Sequence, residues 1–315
     1  MKNTIWFAAV IVAVVITGWS QPVVAGEQKA VLITGASTGI GRNMAETLAR
    51  EGYYVYAGAR KDKDLAELDA IDNVKAVRLD VTSQADVDAA IVLVREEGRG
   101  LWAVVNNAGV GTRSPVAEVT DDELDFVFGV NVTGVVRVTR AFIPLIVESQ
   151  GRIVTTGSIA GIRSSPGGSI YSMSKHAVEA FTDSLAAEMA DAGVQVSVIE
   201  PGAYKSRIRR NAITRMTSDI EAAGGTVTDE MREQAKQTAE REVTLDEPDD
   251  VSAALLHAVS ADVALRRYLV TPDKAAADRT VRALVRELVE LNEWEQNGFS
   301  RDELVEMLDQ ELASD

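Results

Sequence analysis

Cysteine is absent from the 315 residues. That removes disulfides, cysteine metal sites and thiol catalysis, and it leaves the redox compartment unreadable from thiols. Histidine is scarce: His176 and His257 are the only two. A histidine-rich metal centre or a Ser-His-Asp arrangement would have to use one of them, and no metal site is expected. Positive charge is in deficit, with 32 Lys plus Arg against 48 Asp plus Glu and a net charge of −16. So acidic a surface repels phosphate backbones, and nucleic acid is not an expected partner. No Gly-Lys-Ser/Thr occurs, which rejects a P-loop. Long apolar runs are missing too, apart from one of 12 residues, Ile5 to Ile16.

That run belongs to a segment distinct from the fold, residues 1–25. Lys2 precedes it, Gly18, Ser20, Gln21 and Pro22 break it, and Val23-Val24-Ala25 follows. This is the order of a secretory signal. A spanning helix needs about 20 apolar residues, so a cleaved signal is expected, with an uncleaved membrane anchor as the rival. No twin arginine precedes the run.

What is present is an alternating pattern. Apolar residues make up 46% and charged residues 25% of the chain, enough for a sizeable core. Short β-rich runs (Ala30 to Thr34, Tyr53 to Ala59, Val74 to Leu79, Leu101 to Val105, Arg152 to Thr156, Val194 to Ile199) alternate with helical stretches. The expected fold class is α/β, a Rossmann-type doubly wound parallel sheet in a single domain, with a C-terminal helical extension. One helix is expected over Asp121 to Val147, kinked near Pro144. The core domain is set at 26–272, with 204–247 as a lid over the active-site mouth and 273–315 as the extension. Ser300 and Glu303 have capping-box spacing before a last helix.

Two regions carry chemistry. Thr34-Gly35-Ala36-Ser37-Thr38-Gly39-Ile40-Gly41 ends the first strand and opens the first helix. Glycines there allow a tight turn and close backbone approach, and the helix N-terminus offers free N–H groups to a pyrophosphate. Arg60, after the second strand, suits the 2′-phosphate of NADP rather than the ribose of NAD, although Asp62 and Asp64 blunt its field. NADP is therefore the expected cofactor and NAD the alternative. Asp80, followed by Val81, ends the third strand and is placed to meet the adenine. Asn107-Ala108-Gly109 ends the fourth, on the edge that lines the crevice.

The second region is Tyr171-Ser172-Met173-Ser174-Lys175. Tyr and Lys four apart share a helix face. An ammonium near a phenol stabilises the phenolate, which suits acid/base work near neutrality. Ser158 stands just past a strand end, where a hydroxyl can bond a reacting oxygen. Asn131 interrupts an apolar helix and needs partners. It is either a helix-bending core residue or part of a proton path.

From about residue 29 to residue 206 the chain resembles the short-chain dehydrogenase/reductase family. The resemblance rests on Gly35, Gly39 and Gly41, on Asn106-Asn107-Ala108-Gly109, on Asn131, Ser158, Tyr171 and Lys175, and on Pro201-Gly202. Leu101 to Gly109 and Val196 to Gly202 resemble the branch of retinol, 17β-hydroxysteroid and 3-hydroxybutyrate dehydrogenases. The resemblance implies that Lys175 binds the nicotinamide ribose and lowers the Tyr171 pKa. It implies that Tyr171 exchanges a proton with the substrate oxygen, Ser158 holds that oxygen, and Asn131 positions a relaying water. Ser206 stands where many members carry threonine to hold the cofactor amide. The implied substrate is a small alcohol or carbonyl compound of lipophilic kind (steroid, retinoid or 3-oxoacyl), and the implied assembly is a homo-oligomer, with possible membrane association through residues 1–25. A non-catalytic dinucleotide-binding sensor is the alternative.

Overall fold

The computed structural model describes residues 28–222 and 224–313. The leader expected over residues 1–25 lies outside the described residues. Seven strands form one parallel sheet: β1 (Ala30–Ile33), β2 (Tyr54–Ala59), β3 (Val74–Arg78), β4 (Ala103–Asn106), β5 (Arg152–Thr156), β6 (Gln195–Pro201) and β7 (Arg267–Val270). The spatial order is β3-β2-β1-β4-β5-β6-β7. This is the expected Rossmann-type doubly wound sheet.

The strands are apolar on both sides because helices cover both faces. Along β1, Val31 and Ile33 pack into one cluster with Met44 and Leu48 of α1 (Gly39–Arg50). Leu68 of α2 (Asp62–Asp69) joins the same cluster. Ala30 and Leu32 point the other way, into a cluster with Val87 and Val94 of α3 (Gln84–Glu96).

The segment expected as one helix kinked near Pro144 is more irregular than that. It comprises α4 (Asp121–Phe128), a π-helical turn over Gly129–Gly134, and α5 (Val135–Ser149) with Pro144 inside it. The irregularity centres on Asn131, upstream of the proline. A π-turn inserts one residue into the helical ladder and recurs at functional positions. Here it presents the Asn131 carboxamide sideways, to the strand-edge segment beyond β4. The whole stretch Asp121–Ser149 is long and apolar enough to cross a membrane. Its apolar side is spent on the core, through Val138, Phe142 and Ile146.

After β5 come α6 (Ser169–Met189), which carries the tyrosine and lysine, and then β6. Two polar helices follow, α7 (Ile208–Ala222) and α8 (Asp229–Val243). Then α9 (Asp249–Ser260) returns to the first face through Val251 and Leu255. Beyond β7 lie α10 (Lys274–Leu291) and α11 (Arg301–Leu312). The capping box at Ser300 and Glu303 forms as expected, each side chain bonded to the other's backbone N–H.

Phe142 is fully buried between α5 and the sheet. Phe142→Ala should cost about 3–5 kcal/mol, read as a lowered urea midpoint at unchanged slope. A loss below ~1 kcal/mol would contradict this packing.

Candidate active site

The crevice opens where strand order reverses, between β1 and β4. Ligands of such sheets bind outside the carboxyl ends of the strands at that point. Thr34 and Asn107 tie the two strand ends together. Thr34 Oγ1 accepts from the Asn107 and Ala108 N–H groups at 3.0 and 2.9 Å. Asn107 Nδ2 donates to the carbonyls of Thr34 and Gly35 at 3.0 and 3.2 Å. Gly35 has φ +66°, and a Cβ there would lie 2.8 Å from Ala108 Cα. Strain and lack of space together require glycine. A Cβ on Gly41 would collide with Asn107 and with the Gly35 carbonyl. The N-cap Thr38 makes no side-chain cap. The first N–H groups of α1 are therefore left for a ligand anion.

Gly35, Ser37, Thr38, Ile40 and Gly41 line one elongated cleft with Asn107, Ala108 and Gly109. At one end stand Arg60, Asp80 and Val81. Arg60 pairs with Asp80 at 3.3 Å, while Asp62 is taken by Arg78. The acid that answers Arg60 is thus Asp80 rather than Asp62 or Asp64. Burial works against the Asp80 carboxylate, but hydrogen bonds from Thr82 and Arg60 hold its pKa below the ordinary value. Ser158, Tyr171, Lys175, Pro201, Gly202 and Ser206 line the same cleft. Two expected residues stand behind it instead. Thr34 serves as the tie, and Gly39 (φ +59°) is the floor on which Ser206 sits, with a Cβ position 3.2 Å from Ser206 Cα.

Ser158 stands near enough to the Tyr171 phenol to favour its ionised form. Ser158 Oγ accepts from the Ala160 N–H at 3.1 Å. Lys175 is buried, donates from Nζ to the Thr156 carbonyl at 2.8 Å, and stands 5.8 Å from the Tyr171 ring centre. Burial pulls the Lys175 ammonium down to about 8, with Glu179 opposing. Burial pushes the Tyr171 phenol up, while Ser158 and the charge of Arg209 pull against it. Arg209, a residue without a motif to reveal it, thus adds its positive charge to the surroundings of the phenol.

Asn131 is buried and fully used. Its Oδ1 accepts from the Val110 N–H at 2.8 Å, and its Nδ2 donates to the Val110 carbonyl at 2.9 Å and to Ser174 Oγ at 3.0 Å. It clamps the segment after β4 to α6, close behind Lys175. Sequence reasoning also passed over Glu179 and Glu200, which face each other beneath Gly157 and Gly161 beside Arg267. Burial raises both carboxyl pKa values, and Glu179 further resists ionisation of Glu200, whereas Glu200 eases that of Glu179. The spacing Lys175 to Glu179, one helical turn, was the available signal. His257 bonds Tyr268 through Nδ1 at 2.8 Å.

A family model described as short chain dehydrogenase matches residues 29–217. The chain is 38% identical over 219 residues to bovine mitochondrial D-beta-hydroxybutyrate dehydrogenase, covering 66% of this chain and 63% of that one. It therefore spans less than two thirds of that relative's length. It is 36% identical over 212 residues to mouse retinol dehydrogenase 16, covering 66% of each. Among solved structures it is similar to a short chain dehydrogenase/reductase of Burkholderia phymatum in complex with NAD. That likeness has a TM-score of 0.71 and 29% identity, and covers 87% of this chain and 98% of that one.

The carboxyl pair generates a pH dependence of stability. Its raised pKa means the folded chain holds a proton that the unfolded chain releases above the ordinary glutamate value of 4.5. Stability from this pair is thus present at low pH and falls as pH rises above that value. Glu200→Gln should flatten the decline, so its urea midpoint gains on the parent chain between pH 5 and 8 (~1 kcal/mol or more). An unchanged pH slope would contradict the raised Glu200 pKa.

Proposed function

The chain belongs to the short chain dehydrogenase family, and on that premise we propose that it is an NAD(P)-dependent oxidoreductase interconverting an alcohol and a ketone or aldehyde. The observation that carries this reading is spatial. Ser158, Tyr171 and Lys175, far from the glycine turn in sequence, line the same cleft as Gly35 and Gly41.

The residues present fit a nicotinamide dinucleotide. The uncapped start of α1 suits the pyrophosphate, and Arg60 at the far end suits a 2′-phosphate, so NADP is preferred over NAD. Lys175 would bind the nicotinamide ribose, and Ser206 and the backbone of Pro201-Gly202 would hold the amide end. The chemistry such a group supplies when bound is hydride transfer at the carbon bearing the oxygen. Ser158 Oγ holds the substrate oxygen beside Tyr171. Tyr171 Oη gives a proton to that oxygen in reduction and takes one in oxidation. Its burial favours the protonated phenol, which is the form that reduction consumes. Asn131, through Val110 and Ser174, fixes the wall behind Lys175 and is a positioning residue for the proton path.

The domain limits carry over: a core over 26–272, a lid over 204–247, and an extension over 273–315. Arg215 anchors the lid by donating to the Gly111 carbonyl at 3.4 Å and lying 4.0 Å over the Phe126 ring. The substrate side is read as lipophilic, in line with a relative named for retinol. A homo-oligomer, and export or anchoring through residues 1–25, complete the proposal.

Tyr171→Phe should lower turnover by at least ~100-fold while NADPH still quenches tryptophan fluorescence with near-parent affinity; near-parent turnover would refute the role. Arg60→Ala should weaken NADP binding by ~10-fold or more and leave NAD binding nearly unchanged. Equal losses for both cofactors would reverse the preference.

A further inference from the structure

We propose that Glu179, braced by Glu200 and Arg267, is a positioning residue for the reaction: it supports the Ser158 loop from beneath and supplies the negative charge that keeps Lys175 an ammonium. This rests on the reading of Ser158, Tyr171 and Lys175 as the working residues of the cleft.

The elements that carry those residues meet at one carboxyl group. Glu179 lies on α6 one helical turn after Lys175, so the two side chains leave the same side of the helix. Its Oε1 stands 3.2 Å from where a Cβ on Gly157 would lie and 3.0 Å from where one on Gly161 would lie. Those two glycines flank Ser158 and the short helical turn behind it, Ile159–Gly161. A Cβ on Gly161 would also lie 2.9 Å from the Lys175 carbonyl. The Ser158 loop thus rests on the turn of α6 between Lys175 and Glu179. Glu200 reaches the same place from β6, next to Pro201-Gly202. Both carboxyl groups meet one cation on β7: Arg267 Nε lies 3.3 Å from Glu179 Oε2 and 3.8 Å from Glu200 Oε1.

Holding Arg267 does not explain the pair. Asp183 already holds that guanidinium at 2.8 Å. Glu179 Oε1 and Glu200 Oε1 are buried and make no hydrogen bond within the chain. Burying such atoms unpaired is costly, and apolar side chains of similar size would fill the space without that cost. What carboxyl groups add there is charge, one helical turn from Lys175.

The surrounding groups decide where the charge sits. Around Glu179, α6 contributes Lys175 and Asp183, β6 contributes Glu200, and β7 contributes Arg267, with Arg266 held by Asp183 at 4.0 Å. Residues 157–162 of the loop carry no charge. Burial and Glu179 hold Glu200 protonated above the ordinary glutamate range. Glu200 and Arg267 in turn ease the ionisation of Glu179. The proton therefore stays on Glu200 and the negative charge on Glu179, the member on the lysine's own helix. Burial pulls the Lys175 ammonium down to about 8, and Glu179 is the charge that opposes it. Without that charge Lys175 gives up its proton at lower pH.

The test uses the full chain and first reads Lys175 without cofactor or turnover. Reductive methylation with formaldehyde and a borane, followed peptide by peptide by mass spectrometry over a pH series, gives the midpoint at which the Lys175 amine becomes reactive. Glu179→Gln keeps the shape and removes the charge, and should lower that midpoint by at least ~0.5 pH unit, about 3-fold in the proton equilibrium. Glu179→Asp keeps the charge and should recover part of the shift. Glu179→Met, which buries no unpaired polar atom, replaces Glu179→Gln if the latter does not fold, with the same expectation. An unmoved midpoint, or Glu179→Asp behaving like Glu179→Gln, would overturn the proposal. Turnover supplies readouts that a purely structural brace would not move. The alkaline limb of kcat/KM for NADPH should fall in step with the Lys175 midpoint. Below that midpoint, where Lys175 is charged in every variant, Glu179→Ala should lower kcat at least ~10-fold relative to Glu179→Gln, because the Ser158 loop loses its support. An alkaline limb that stays in place, or equal kcat in those two variants, would overturn the role in the reaction. A shifted Lys175 midpoint in a parent chain that turns over no alcohol or carbonyl compound would count against the oxidoreductase reading and not against Glu179 as the charge on Lys175.

Discussion

The tie between Thr34 and Asn107 is the constraint from which the site is built. Four hydrogen bonds join the ends of β1 and β4 at the one place where neighbouring strands send their chains to opposite faces of the sheet. With that join fixed, the Gly35 turn is pressed against Ala108 and the start of α1 is aimed into the crevice. The segment beyond Asn107 is then led to Val110, where Asn131 clamps it to the tyrosine helix. A chain of polar contacts thus runs from the glycine turn to Ser174, one residue from Lys175. Each link is buried or partly buried, so losing one partner would leave the other unsatisfied.

Charge is distributed against the average. The chain is strongly acidic, yet the cleft is lined by Arg60, Lys175 and Arg207. Lys175 and Tyr171 are held in surroundings that disfavour charge on either. Such surroundings keep the Tyr171 phenol protonated.

Much of this was legible from residue types and spacing. The strand and helix alternation, the glycine turn, and the tyrosine and lysine one turn apart on a helix are local signals, and local signals survive in a sequence. The approach of Ser158 to Tyr171 was legible only through family resemblance, because contact between residues thirteen positions apart, across a short helical turn and a loop, has no period. Three features were hidden for physical reasons. The π-turn at Asn131 depends on a partner at Val110, outside its own helix. The positive charge of Arg209 near Tyr171 comes from a helix that reads as an ordinary polar surface. The Glu179 and Glu200 pair joins a helix to a strand, and neither residue looks unusual alone.

The central claim is that one cleft holds a nicotinamide dinucleotide with its reactive end at Tyr171. A crystal structure of the full chain grown with NADP tests it most directly. The account predicts the pyrophosphate against the N-terminus of α1, the 2′-phosphate at Arg60, and the nicotinamide between Ser206 and Tyr171. A dinucleotide bound in the reverse sense, or outside the crevice between β1 and β4, would contradict it.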